Sequence, residues 1–136
     1  MYTPPPEIFS TLCDFRSYSP APLSADNIKW FKYAARCETA TLLYNEFNEP
    51  KGYVVWAEIS RETLNILWKT NQFPRYIYEW EEGKIRLILD VSIDPGERES
   101  IVKALRTLLR SWKIVAFKRR ELRLYVRNNM RFKRLF

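Results

Sequence analysis

One carboxylate stands inside an otherwise apolar run. Across residues 83–96, GKIRLILDVSIDPG, a period of two puts Ile85, Leu87, Leu89, Val91 and Ile93 on one face of a strand. Arg86, Ile88, Asp90, Ser92 and Asp94 fall on the other. Asp90 has two readings there. It is a partly solvated carboxylate paired with Arg86 one step along its face, or a polar group held beside a reaction centre, able to take a proton directly or through water.

The other residue types limit the chemistry. The chain has no histidine, which excludes Ser-His-Asp and Cys-His catalysis. Cys13 and Cys37 are far apart and lack partners at zinc spacing, so no metal site is expected and both read as reduced, partly buried thiols. Only Gly52, Gly83 and Gly96 are available, too few and too scattered for a glycine-rich phosphate loop.

Charge is divided along the chain. Residues 102–136 hold twelve Lys or Arg against the single acid Glu121, a net of +11, while the preceding 101 residues carry 11 basic and 15 acidic groups, a net of −4. Trp112, Phe117, Tyr125, Phe132 and Phe136 are interleaved with the basic residues. Such an end is either a solvated face or a landing site for an acidic protein, a nucleic acid or an anionic surface.

A carboxylate in a strand needs a sheet to position it, and the pattern supplies one. Thr41–Phe47 and Tyr53–Ile59 are β-rich runs around turn residues 48–52, which predicts a hairpin. Ser24 is placed to cap a helix carrying Ile28, Phe31, Tyr33 and Ala35. Ser60 is placed to cap another, with Thr63 at its third position and Leu64, Leu67 and Trp68 as its apolar stripe. RYIYEW, residues 75–80, fits strand or helix. Residues 94–113 read as a helix presenting Ile101, Leu105, Leu108, Leu109 and Trp112 to a core, followed by strands at IVAF and ELRLYV. The order predicts a single α+β domain, a mainly antiparallel sheet flanked by helices. Pro4, Pro5, Pro6, Pro20 and Pro22 make residues 1–24 a proline-rich extended arm, residues 25–126 the folded domain and residues 127–136 a basic tail.

From Thr41 to about Tyr125 the chain resembles the RTX toxin-activating lysine acyltransferases, whose fold is similar to that of the N-acetyltransferase (GNAT) superfamily. The resemblance rests on NEPKGYVVWAEIS (48–60), a proline turn and a strand ending in Trp56-Ala57 before Ser60, and on the Gly83-x6-Asp90 spacing in GKIRLILDV. It implies a GNAT-like fold, Asp90 as a catalytic residue, acyl carrier protein as acyl donor with no bound cofactor, and a fatty acyl group passed to a protein lysine. In that family the aspartate works with an amino-terminal histidine. Its place here falls in residues 18–24, where Tyr18, Ser19 and Ser24 supply the protic side chains. Loss of a general base costs on the order of 100- to 10,000-fold in rate.

Coenzyme A is disfavoured as donor: the turn DPGERES has one glycine and the acids Asp94, Glu97 and Glu99, which suit a helix start but repel phosphate. An acidic acyl carrier protein instead matches the +11 segment. The alternative is a non-catalytic structural or assembly subunit on the same fold. Proteins resembling the family occur in tailed bacteriophages, which makes a virion or DNA-ejection component the concrete form, with virion neighbours as partners. A nucleic-acid-binding module rests on the basic tail alone. No signal peptide and no run approaching the roughly 18 apolar residues of a membrane span is present, so the expected location is the cytoplasm or a virion. An enzyme should show Asp90 lining an open cleft that reaches Tyr18 or Ser24, with an apolar channel. In a subunit that cleft should be filled.

Overall fold

The computed structural model describes residues 5–18, 23–118, 120–128 and 131–134, the side chains of 5–7, 128 and 131–134 excepted. Six strands pair in chain order: β1 (Ala40–Tyr44), β2 (Pro50–Ile59), β3 (Ile85–Ile93), β4 (Ile114–Lys118), β5 (Leu122–Asn128) and β6 (Arg131–Arg134). All neighbours are antiparallel except β3 and β4, which are parallel because helix α4 (Arg98–Arg110) carries the chain back between them. Helices α1 (Pro5–Ser17), α2 (Ala25–Cys37) and α3 (Arg61–Thr70) pack on one face and α4 on the other. This is the α+β, GNAT-like single domain expected, a mainly antiparallel sheet flanked by helices.

Two cores sandwich the sheet. Tyr53, Val55, Ala57 and Ile59 of β2 point into the first, with Leu12, Phe31, Leu64 and Trp80; Val54 and Trp56 point into the second, with Ile101 and Trp112. Burial on both faces is why this strand reads as one continuous apolar run. The stripe expected on α4 is the one that packs, Ile101, Leu105, Leu108, Leu109 and Trp112 all belonging to the second core.

The helix caps form as expected. Ser24 Oγ accepts the Asn27 N–H at 3.1 Å and Ser60 Oγ accepts the Thr63 N–H at 3.2 Å. Ser60→Ala should therefore lower stability by about 1 kcal/mol, read as a fall in the urea midpoint with unchanged slope.

Several expectations need correction. Residues 5–17 form a helix where an extended arm was expected, because Pro5 and Pro6 occupy the first turn, whose N–H groups lack intrahelical acceptors in any case. Leu12 anchors that helix, fully buried in the first core. Ser19, Pro20 and Pro22 lie outside the described residues. The hairpin turn is Asn45–Glu49 rather than 48–52: the Asn45 side chain accepts the N–H groups of Phe47 and Glu49, both at 2.9 Å, so β2 starts at Pro50. On α3 the buried side chains are Thr63, Leu64 and Leu67, whereas Trp68 is exposed. RYIYEW resolves into a 3-10 turn over Ile77–Trp80 that buries Trp80. The 127–136 segment is not simply a tail, since β5 runs through Asn128 and β6 pairs with it.

Among the described residues no helix is long and apolar enough to cross a membrane. Both cysteines are free and partly buried. Burial and a hydrogen bond to Glu81 push the Cys37 thiol up to about 12, and burial likewise raises Cys13. Alkylation of the native protein at pH 8 should run more than about tenfold slower than that of the unfolded chain. Because the unfolded thiol loses its proton first, this contribution to stability is lost as pH rises from the ordinary value of 9.0 towards about 12.

Candidate active site

Pairing between β2 and β3 slips by one residue between Val55 and Trp56: Val55 lies opposite Asp90, but Trp56 lies opposite Ile88. Leu89 is thus the extra residue of a β-bulge, and the alternation of β3 reverses across it. Before the bulge Ile85 and Leu87 face the first core and Arg86 and Ile88 the second. After it Val91 and Ile93 face the second core, and Asp90 turns towards the first.

The bulge therefore separates Asp90 from Arg86, the partner that strict alternation assigns to it. Arg86 lies on the opposite face, its guanidinium 5.0 Å from the Trp112 ring centroid and 5.9 Å from that of Trp56, with Nε 3.5 Å from Glu58 Oε2. Trp56 packs against Trp112 at 4.8 Å. The Trp-Ala step of the family resemblance is a structural element here, away from the carboxylate.

Two side chains that period-two alternation does not connect with it hold Asp90. The Tyr53 hydroxyl donates to Oδ2 at 2.6 Å, and Nη1 of Arg16, from the last turn of α1, lies 3.5 Å from Oδ1. The carboxylate is only 10% exposed and the Arg16 side chain 17%. Tyr53 is fully buried, its ring meeting Phe15 and Phe31 edge to face at 6.2 and 5.6 Å. Burial first, and the bond to Asp90 second, hold the phenol well above its ordinary range, so it remains a donor at any working pH. Arg16 Nε is buried without a hydrogen-bond partner among the described residues. Tyr53→Phe should cost about 1–2 kcal/mol, measurable by urea denaturation, and leave the fold intact.

Of the protic residues in the place of the family's histidine, the described ones, Tyr18 and Ser24, do not hydrogen-bond to Asp90. Ser24 is committed to capping α2, and Tyr18 is 89% exposed. A signal for Arg16 does exist: once residues 5–17 are read as a helix, Ile8, Leu12 and Arg16 fall on one row, leaving a cation at the end of an apolar stripe. Tyr53 carries no such signal, because its parity with Asp90 depends on the bulge.

Beside the carboxylate the sheet opens. Parallel pairing stops at Ile88 and Phe117, while β3 continues to Ile93, so, among the described residues, 89–93 have a strand neighbour on the β2 side only. The strands part around a cavity of about 800 Å³, walled by Ile88, Val91, Leu105, Leu109, Phe117 and Tyr125, with Asp90 in its lining. A crevice at the carboxyl ends of parallel strands is the usual ligand position in sheets of this kind. In the 3-10 turn Pro95–Glu97 that leads into α4, the Asp94 carboxylate accepts the Gly96 N–H at 2.9 Å, so a protein anion already stands at this turn.

Fold and site together define an α+β domain in which a tyrosine and an arginine fix a carboxylate on the first-core side of β3, beside an apolar cleft whose lining includes Asp90. No known family's sequence model matches the chain, and no curated protein is significantly similar to it.

Proposed function

We propose that the chain is an acyltransferase of the toxin-activating lysine acyltransferase type, moving a fatty acyl group from acyl carrier protein to a protein lysine in the cytoplasm. The observation that carries this reading is the open apolar cleft between β3 and β4 with Asp90 in its wall. A cleft of about 800 Å³ is large enough for an acyl chain.

In this reading the lysine enters as a neutral amine and attacks the thioester carbonyl. The C–N bond forms and the C–S bond breaks. The amine proton passes to Asp90, directly or through water, and the departing sulfur takes up a proton to leave as a thiol. Tyr53 and Arg16 fix the carboxylate so that its orientation costs nothing at the moment of reaction. Backbone N–H groups of β3 beyond Ile88, which lack a β4 partner, supply donors for the developing oxyanion.

The test is intact-mass and peptide mass spectrometry of the purified chain with acyl carrier proteins bearing several chain lengths and lysine-containing acceptor proteins. An acyl-lysine product is expected. No product at any chain length, from folded protein, overturns the reading.

A second reading is favoured by a different observation. Both Asp90 oxygens already have protein donors, an arrangement suited to a structural ion pair in a non-catalytic subunit such as a virion component. Stable association with virion proteins, without acyl transfer, would support it.

A further inference from the structure

The cleft does not end in solvent alone. Phe117 and Tyr125, on neighbouring strands, stack with ring centroids 5.7 Å apart and planes 9° from parallel. Both residues line the apolar cavity and also a second cavity of about 520 Å³, which is lined besides by Arg120, Glu121 and Arg123. Among the described residues, the β4–β5 turn thus sets the guanidinium groups of Arg120 and Arg123 next to the apolar cavity. Arg120 is exposed, and Arg123 is partly exposed and paired at 2.9 Å with Glu121, a largely exposed side chain free to swing into solvent when a phosphate takes its place on the guanidinium.

An apolar channel bordered by cations at one end suits a ligand that is an uncharged chain ending in an anion. A nucleic acid would use the cations but has no use for the channel, whereas a free fatty acid would bury its chain and place its carboxylate among the arginines. A phosphopantetheine thioester uses both regions and leaves its acyl carbon inside. The turn leading into α4 is a poor phosphate site, because Asp94 holds the Gly96 N–H of the 3-10 turn and Glu97 and Glu99 set carboxylates beside the first turn of the helix.

We infer that Arg120 and Arg123, at the β4–β5 turn, form the subsite for the phosphate of a phosphopantetheine arm whose acyl end lies in the cleft between β3 and β4. The inference rests on the acyl-transfer reading for its choice of ligand and assigns the docking point of the donor. The arm is that of a carrier protein, whose acidic surface meets the basic α4 and β4–β5 region around Lys103, Arg106 and Arg127.

Two probes differing by one group test it: decanoyl-phosphopantetheine and decanoyl-pantetheine, titrated calorimetrically into the full chain at low salt. Charge-assisted bonds to two arginines should make the phosphorylated probe bind about 10- to 100-fold more tightly. Arg120→Ala/Arg123→Ala should erase that difference and leave the affinity for decanoyl-pantetheine unchanged. Lys103→Ala/Arg106→Ala, which removes the same charge from α4, should keep most of the difference. Equal binding of the two probes to the wild type, or discrimination surviving in Arg120→Ala/Arg123→Ala, overturns the subsite. So does decanoate competing with the phosphorylated probe at equal affinity, or a single-stranded oligonucleotide binding more tightly than either thioester. To identify the source, decanoyl-loaded carrier protein and decanoyl-coenzyme A are compared in the same titration. Carrier protein should bind more tightly, and a preference for coenzyme A overturns that assignment. Binding that depends on the phosphate without any acyl-lysine product would instead leave the subsite standing and refute the transferase reading.

Discussion

Asp90→Asn should reduce acyl transfer by on the order of 100- to 10,000-fold while the protein stays folded. The amide oxygen of asparagine still accepts the Tyr53 hydroxyl bond now made to Oδ2, so packing around the site is largely kept. What is lost is the ability to take a proton from the attacking amine, together with the charge opposite Arg16. Asp90→Ala should be worse in a different way. It leaves the buried Tyr53 hydroxyl and the Arg16 guanidinium without their shared acceptor, and should destabilise the fold by about 3 kcal/mol. Rates from single-turnover transfer assays and midpoints from urea denaturation separate the two effects. If Asp90 takes the proton, Asn and Ala variants share a low rate despite unequal stability. If the carboxylate is only an ion-pair member, the rate follows stability, and the Asn variant retains activity near wild type.

Gly83→Ala should be the most damaging small substitution in the fold. A Cβ at this position would sit 1.9 Å from the Ile59 carbonyl oxygen, 2.2 Å from its carbon and 2.5 Å from the Ser60 nitrogen. All three are backbone atoms at the junction between β2 and α3, and none can swing aside as a side-chain tip would. Gly83 N–H also donates to Glu58 O at 3.2 Å, tying the approach to β3 to the end of β2. Relief requires moving a strand end, at about 3 kcal/mol or more. Because Gly83 leads directly into β3, the displacement should carry to the Asp90 bulge. The variant is expected to unfold at clearly lower urea concentration, and its surviving folded fraction to transfer more slowly. A wild-type midpoint would show that the junction yields without cost. Gly52 is a milder case, since its added Cβ would meet Ser92 O at 2.5 Å and the Ile101 side chain at 3.0 Å.

These two positions show how much was legible beforehand. Gly83 and Asp90 were both marked by their spacing, and the contact with Ile59 explains physically why glycine stands at the first of them. Local pattern also predicted the caps at Ser24 and Ser60, the α4 stripe and the existence of the hairpin. Each depends on residues a few positions apart, through side-chain-to-backbone bonds or a helical period. The amino-terminal helix is hidden in the sequence because prolines disfavour helix interiors, whereas Pro5 and Pro6 lie in the first turn, where the missing N–H costs little.

By itself the sequence determined the class of fold, the exclusion of histidine chemistry, the division of charge between the two parts of the chain, and the presence of one carboxylate in an apolar strand. Tertiary structure alone decided which way that carboxylate points. Period-two alternation carries no record of a bulge, because the extra residue at Leu89 follows from register against β2, a strand that ends far upstream at Ile59. That single slip takes Asp90 from Arg86 and gives it to Tyr53 and Arg16. The same holds for the cleft: β3 and β4 are each ordinary apolar strands in sequence. The cavity exists because β3 outlasts its pairing with β4, a difference in length and direction that only the assembled sheet expresses.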